Sequence, residues 1–561
     1  MTISRRSLVV SAGAGLAAGS ALSLPAAGAA PGVADVRATA AARPLRATPF
    51  TLGVASGDPL PDGFVIWTRL APAPLAEDGL GGMPSRRYPV LWQVATDERF
   101  RRVVRSGVAG ARPDTAHAVH VEVEGLRPGG EYWYRFRVGR WLSPVGRART
   151  APAPDAMPSA LTMAFASCSQ FEHGFFTAYR RLAEDEPDLV LHLGDYQYEY
   201  AKDTYVVDGG NVRDHRGPET ETLANYRQRH AQYKTDADLQ AAHAAAPWLV
   251  VWDDHEVDNN WADEVPEKPE IPQPRFLDRR AAAFRAFYEN MPLRRTSVPR
   301  GIDLQLFRRV AWGRLATFHM LDTRQYRDDQ ACGDGYDDCP DAADPRRTLT
   351  GAEQERWLLD GFARSRQRWD VLGQQVFFSR RDSTADPSTN RVSMDAWDGY
   401  PASRRRITQG WLDAGVRNPV VLTGDVHAHW ASDIAGDFDD PDAPVVGAEF
   451  VTSSITSGGD GYDDPQGRHP WADQNPHLRF WTNLRGYVST RITPTEFRTD
   501  FRCLPRVSEP GAAAFTRASF LVEDGVPGMR QLDTAAPRAR RSVPQQDREK
   551  IIRDTLEQET R

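Results

Sequence analysis

The chain has 561 residues, a formal net charge of −7 and 26% charged residues. Domains run to roughly 100–200 residues, so the length excludes a single minimal domain, and 15 Trp with 40% hydrophobic residues exclude a mostly disordered chain. Asp+Glu 76 against Lys+Arg 69 argues against a general binder of nucleic acid or anionic membranes, and 4 Cys are too few for a disulfide scaffold of this size.

Ser4-Arg5-Arg6-Ser7-Leu8 precedes a soft apolar run from Val9 to Leu24, and Ala27-Gly28-Ala29 supplies the small residues a signal peptidase needs. The paired arginines resemble a twin-arginine export signal over residues 1–29. The run falls short of the ~20 apolar residues of a membrane span, so the expectation is a cleaved address. The mature protein is then secreted through the twin-arginine translocase, has no transmembrane segment and is by default a monomer. Residues 30–46, rich in Ala, Pro and Arg, read as a linker.

From 47 to 151 the pattern is short and alternating. Strands are predicted at Val65–Thr68, Val90–Val94, His120–Val123 and Tyr132–Phe136, split by Gly, Pro and Asp turns. That predicts an N-terminal β-sandwich, and Leu126-Arg127-Pro128-Gly129 before a Tyr-rich strand resembles a fibronectin type III module. From 152 to 532 apolar strands alternate with amphipathic helices, an α/β pattern. Strands are predicted at Leu161–Ala166, Asp188–Leu193, Trp248–Trp252, Val371–Phe378 and Pro419–Thr423. Helices are predicted at Phe175–Glu186, Leu223–Tyr233, Arg279–Asn290, Ala352–Ser365 and Arg404–Ala414. The tail, 533–561, is polar, with a helix readable from Gln546 to Glu557 that either docks or frays.

Four strands stop in chemically loaded sequence. Leu161–Ala166 runs into Ser167-Cys168-Ser169-Gln170. Asp188–Leu193 runs into Gly194-Asp195-Tyr196-Gln197-Tyr198-Glu199-Tyr200. Trp248–Trp252 runs into Asp253-Asp254-His255-Glu256-Val257-Asp258-Asn259-Asn260, and Pro419–Thr423 into Gly424-Asp425-Val426-His427. In open α/β sheets, ligands sit beyond the carboxyl ends of strands, so these loops converge in the expected fold. Each motif alone is more often a turn, a cap or a core residue. Together, carboxylate, phenol, imidazole and thiol suit metals.

Gly194-Asp195-x-x-Tyr198, Asp254-His255-Glu256 and Gly424-Asp425-x-His427 resemble the motifs of calcineurin-like metallophosphoesterases; Gly-Asp-x-x-Tyr is the variant of purple acid phosphatases. Longer strings resemble the PhoD-like alkaline phosphatase/phosphodiesterase family: Gly53-Val54-Ala55-Ser56-Gly57-Asp58-Pro59, Trp67-Thr68-Arg69, Trp252-Asp253-Asp254-His255-Glu256 and Thr452-Ser453-Ser454. The resemblance implies a four-layer αββα sandwich behind the N-terminal module. It also implies hydrolysis of phosphomonoesters, phosphodiesters or both, by a metal-bound hydroxide at an iron–calcium centre.

Two departures from the common metallophosphoesterase pattern bear on the metals. Ser167-Cys168 stands where most relatives begin with Asp-x-His, and Gly424-Asp425-x-His427 where they have Gly-His-x-His. Thiolate, phenolate and imidazole favour a redox-capable metal, with ferric iron best suited to phenolate. Asp195, Asp254 and Asp425 offer hard oxygen, which favours calcium. By the resemblance, Cys168, Tyr198 and His427 hold Fe(3+), Asp195 bridges, and Asp254 and Asp425 hold Ca(2+). His255 donates a proton to the leaving oxygen or orients phosphate. Asn259 and Asn260 bind substrate or form a tight Asx turn. Arg69, in the N-terminal module, is read as structural.

Cys332 and Cys339 bracket Gly-Asp-Gly-Tyr-Asp-Asp. In an exported protein this predicts a local disulfide, with a calcium loop through Asp334, Asp337 and Asp338 as the alternative. Cys503 is predicted on a strand; a Cys168–Cys503 disulfide, which would remove the thiolate, competes with the iron reading. No Gly-x-Ser-x-Gly elbow and no P-loop is present. Two other functions remain: a metal-dependent phospholipase D using the same centre, and a secreted binding protein whose metal is only structural.

Overall fold

A computed structural model of the chain describes residues 45–269, 276–534 and 547–559. The predicted export signal and the linker up to residue 44 lie outside the described residues. The N-terminal strands are β1 (Val54–Leu60), β2 (Gly63–Arg69), β3 (Tyr88–Ala95), β4 (Val103–Ala111), β5 (Ala118–Val123), β6 (Glu131–Val138), β7 (Trp141–Leu142) and β8 (Gly146–Arg149). In β6, Tyr132, Tyr134, Phe136 and Val138 are buried while Glu131 and Arg137 are exposed, the alternation of a sheet wetted on one face. A five-stranded sheet runs β4-β3-β6-β7 with β8 on β6. The other strands, β1, β2 and β5, pair antiparallel. This is the predicted N-terminal sandwich.

The phosphoesterase-like part follows. Its first elements are β9 (Leu161–Ala166), α1 (Thr177–Glu184), β10 (Leu189–Leu193), α2 (Leu223–Lys234), α3 (Ala237–Ala245), β11 (Pro247–Val251) and α4 (Phe276–Asn290). Next come β12 (Arg308–Trp312), β13 (Ala316–Met320), β14 (Tyr336–Asp337), α5 (Gly351–Arg364), β15 (Trp369–Gly373), β16 (Val392–Ser393), α6 (Pro401–Ala414) and β17 (Pro419–Thr423). The last are β18 (His429–Ala435), β19 (Val445–Val451), β20 (Leu478–Thr482), β21 (Gly486–Ile492), β22 (Glu496–Cys503), β23 (Phe515–Glu523), β24 (Arg530–Thr534) and α7 (Arg548–Glu559).

Two large sheets result. A ten-stranded sheet has the order β24-β23-β22-β21-β9-β10-β11-β1-β2-β5, and a seven-stranded sheet β12-β13-β15-β17-β19-β18-β20. Strand β1 pairs parallel with β11, so one sheet of the N-terminal sandwich continues the catalytic sheet. Successive side chains alternate faces. In β15 and β17, Val371, Val420 and Leu422 join the core between the sheets, while Leu372 and Val421 face Leu358, Phe362, Ile407 and Trp411 of α5 and α6. Helices α1 to α4 contribute Leu182, Tyr226, Leu239 and Phe284 to the cluster that includes the ten-stranded sheet. This is the αββα layering expected.

The predicted strand Val371–Phe378 ends at Gly373. Beyond it the apolar residues diverge, Val376 and Phe378 into one cluster and Phe377 into another. The loop's buried backbone is satisfied by side chains: Gln374 Nε2 donates to Val376 O at 2.7 Å, and the Glu449 carboxylate accepts from the N–H groups of Phe378 and Ser379, both at 2.8 Å.

Candidate metal centre

Strands β9, β10 and β11 run parallel, so their carboxyl ends share one edge. β17 brings its own end from the other sheet, and a bridge between Ser167, just past β9, and Ser454, just past β19, joins the two sheets at this edge. At each end the backbone turns sharply. Cys168, Asp195, Asp425 and His427 all have positive φ, at 58°, 54°, 66° and 49°, a strained conformation that functional sites often retain. Gly194 has φ +108°, and a Cβ there would sit 2.4 Å from Asp253 Cβ; only glycine lets the β10 and β11 loops meet.

The loops bring Cys168, Asp195, Tyr198, Asp254, His255, Asp425 and His427 together. Cys168, Asp195 and His427 offer donor atoms within 4.8 Å of one another; so do Asp195, Asp254 and His255, and again Asp253, Asp254 and Asp425. Asp195 and Asp254 each belong to two groups, as adjoining ends of one centre require. Tyr198 Oη lies 3.0 Å from both Asp195 Oδ2 and His427 Nε2, and accepts from Ser457 Oγ at 2.7 Å. All these residues are buried except Asp425, whose side chain is 22% exposed.

Burial raises the Cys168 thiol and the Tyr198 phenol, and the neighbouring Asp195 raises both further. Burial, then Arg485, holds His427 well below the usual imidazole range, leaving the neutral form that ligates metals. Asp425 is pushed up to about 7, chiefly by burial, against the pull of Arg324. Asp195 Oδ1, Asp254 Oδ1 and His427 Nδ1 are buried without a hydrogen-bond partner among the described residues. Such orphans are costly, and their place on residues of two adjoining donor groups fits resident cations.

Burial opposes charge on His255, but Glu199, Asp254 and Asp195 outweigh it and raise its pKa well above the usual range. Its ring stacks on Tyr198 at 4.0 Å. The two asparagines separate. Asn259 Nδ2 donates to Glu267 Oε1 at 3.2 Å. Asn260 stays on the centre, its N–H donating to Asp254 Oδ2 at 2.8 Å.

Four supporting residues were not singled out from sequence. Glu199 Oε2 lies 2.9 Å from His255 Nδ1, and its Oε1 accepts from Asn259 N at 3.0 Å. Glu256 accepts from the N–H groups of Asp195, Tyr196 and Asp253 at 3.1, 2.6 and 2.9 Å, locking two strand ends together. Arg324 donates to Asp253 at 2.6 Å and Asp395 at 2.8 Å, with Nη2 3.6 Å from Asp254 and 3.7 Å from Asp425. Arg485 donates to the carbonyl of His427. Glu199 and Glu256 sit inside strings already marked by their neighbours. Arg324 follows β13, so the strand-end rule finds it once that strand is recognised.

Cys332 and Cys339 form a disulfide. Cys168 and Cys503 are both free, so the competing disulfide is not made; Cys503 packs against Leu484 and Phe515. Arg69 is buried and donates to Ala116 O and Asn290 Oδ1 at 3.1 and 3.2 Å, a structural role. The C-terminal helix docks. Ile551 is buried, and Glu559 pairs with Arg381 at 2.5 Å.

Facing sheets with thiol, phenol, imidazole and carboxylates gathered at their carboxyl ends define a metal-dependent phosphoesterase of the two-sheet class. The PhoD-like phosphatase family model matches residues 163–501, and the model of that family's N-terminal domain matches residues 36–152. The chain is 52% identical over 489 residues to Alkaline phosphatase D of Bacillus subtilis (strain 168), covering 87% of this chain and 83% of the relative. The solved structure described as "Structure of PhoD" superposes with a TM-score of 0.87 at 49% identity, covering 92% of this chain and 99% of that one. The chain belongs to the PhoD-like phosphatase family, and it is a phosphoric ester hydrolase of that family.

Proposed function

We propose that the protein is a secreted hydrolase of phosphomonoesters, phosphodiesters or both, working at an iron–calcium centre. Cys168, Tyr198 and His427 would hold Fe(3+), Asp195 would bridge, and Asp254 and Asp425 would hold Ca(2+). The observation that carries this reading is the sorting of donors: soft and aromatic donors lie at one end, carboxylates at the other, with orphaned buried atoms in both. When bound, the ions supply Lewis acidity, polarising phosphoryl oxygens and acidifying water.

The chain's own residues do the rest. His255, with Nδ1 committed to Glu199, has Nε2 left to donate a proton to the leaving oxygen. Tyr198 stacks on the face of the ring, and Asp254 Oδ2 lies 4.0 Å from Nε2. Arg324 balances the carboxylates from behind. Secretion is supported by the Cys332–Cys339 disulfide and by Ser4-Arg5-Arg6. No helix among the described residues is long and apolar enough to cross a membrane.

The test is chelation. EDTA, or Cys168→Ala, should remove metal and abolish hydrolysis of nitrophenyl phosphate. Full activity in a metal-free preparation would defeat the reading. Rates on a nitrophenyl monoester, a bis-nitrophenyl diester and phosphatidylcholine then assign the substrate class, including a phospholipase D activity.

A further inference from the structure

We propose that the disulfide-closed loop from Cys332 to Cys339 is a positioning element of the centre, with Asp334 as the positioning residue that orients the side chain of Asn260. Asn260 Nδ2 donates to Asp334 Oδ2 at 3.1 Å. A side-chain amide has a donor end and an acceptor end, and the hydrogen-bond network decides which way each faces. A carboxylate only accepts. Facing Asp334, Asn260 must present Nδ2 to it and turn Oδ1 the other way. The rest of Asn260 is already held. Its N–H donates to Asp254 Oδ2, its carbonyl accepts from Gln330 Nε2 at 2.9 Å, and its φ is 47°. With the backbone held, the side chain's torsions remain, and the bond to Asp334 fixes its amide end.

Asp334 itself stands between Gly333 and Gly335, with φ +84° at Gly333 and no atom within 4 Å of a Cβ built on either glycine. Such a segment is intrinsically loose. Three restraints tighten it. The Cys332–Cys339 bond closes the loop, lowering the freedom of the open chain. Strand β14 pairs with β16 through Tyr336–Ser393 and Asp337–Val392. Tyr336 Oη donates to Glu559 of the docked C-terminal helix at 2.5 Å. The clasp thus holds an acceptor in place beside the centre, and the disulfide acquires a role beyond stability.

This inference rests on the reading above in one respect, that Asn260 faces the phosphoester. The experiment compares the metal-loaded wild type with Asp334→Ala, Asp334→Asn, Asn260→Ala and the Asn260→Ala/Asp334→Ala pair. KM and kcat are measured on a nitrophenyl ester, and the Kd for inorganic phosphate by calorimetry. Asp334→Ala should raise KM and the phosphate Kd about tenfold with kcat within about twofold, since a lost hydrogen bond to a charged partner is worth roughly that factor. Asp334→Asn keeps an acceptor and should return both to within about threefold. The pair should be no worse than Asn260→Ala alone, because one residue acts through the other. Cys332→Ser with Cys339→Ser, which opens the loop without touching Asp334, should move KM in the same direction as Asp334→Ala and covers the case in which that variant does not fold. Wild-type KM and phosphate Kd in Asp334→Ala, or effects of the two sites that simply multiply, would overturn the proposal. A wild type that hydrolyses no phosphoester would instead defeat the functional reading, and phosphate binding would still report on Asp334.

Discussion

Glu199 Oε2 lies 2.9 Å from His255 Nδ1, both side chains almost wholly buried. The carboxylate fixes the ring's orientation and holds a positive charge on it, the preparation a general acid needs. Glu199→Gln keeps the shape and removes the charge. We expect kcat to fall about tenfold to a hundredfold, with a smaller change in KM. The loss should be greater for an alkyl phosphate than for a nitrophenyl phosphate, because a nitrophenolate leaves without help from a proton. Equal losses on both substrates would assign Glu199 to structure alone.

Tyr198 touches both Asp195 and His427 at 3.0 Å. If its oxygen binds ferric iron, the metal-loaded protein absorbs visible light through a phenolate-to-iron transition. Tyr198→Phe should abolish the band while leaving calcium content unchanged, as measured by absorption spectroscopy and elemental analysis. A colourless wild type that is fully active would assign the position to another metal.

The C-terminal helix is held by a buried pair. Arg381 and Glu559 side chains are 1% and 4% exposed and meet through two contacts, at 2.5 and 2.8 Å. Removing one partner of a buried pair leaves the other charge uncompensated, at a cost of about 3–5 kcal/mol. Glu559→Ala should therefore release α7. Limited proteolysis should remove the tail from the variant much faster than from the wild type, with little change in the thermal midpoint of the main unit. The Arg381→Met/Glu559→Met pair should restore part of the protection, because no charge is left stranded.

The parts of the fold legible in sequence were those with a local cause. Leu161–Ala166 and Pro419–Thr423 form strands with the predicted bounds, the first buried but for Thr162 and the second buried throughout, because a strand interior to a sheet covered on both faces is a short apolar run. The metal-type residues were legible because each follows such a run directly. The supporting shell was not. Glu199 meets His255 56 positions away, Arg324 meets Asp253 71 away, and Arg485 meets His427 58 away; no local pattern encodes those pairings. Val371–Phe378 misled for the converse reason. Its apolar run is buried, as read, but only Val371–Gly373 pairs as strand; past it, Val376 O, Phe378 N and Ser379 N bond to the Gln374 and Glu449 side chains.

Several buried histidines give the protein an acid limit. Burial, with help from Arg485 or Lys234, lowers His173, His192 and His429 to about 3 and pushes His230 and His243 well below the usual imidazole range. In the unfolded chain each takes up a proton near pH 6.5. Between that pH and the folded pKa the unfolded state binds more protons, so stability rises with pH and falls as the solution is acidified. Each imidazole contributes at most about 1.4 kcal/mol per pH unit within the window. The raised carboxyls of the centre act in the opposite sense, so the measurement belongs on the metal-loaded protein, where bound cations would keep them ionised. His230 isolates one contribution, because neither ring nitrogen has a hydrogen-bond partner among the described residues. Denaturant titrations from pH 8 to pH 4 should show stability falling below about pH 6.5. In His230→Leu the slope should be shallower by up to about 1.4 kcal/mol per pH unit, whatever the substitution does to stability at pH 8. Parallel slopes in the two proteins would mean that His230 takes up a proton equally in the folded and unfolded states.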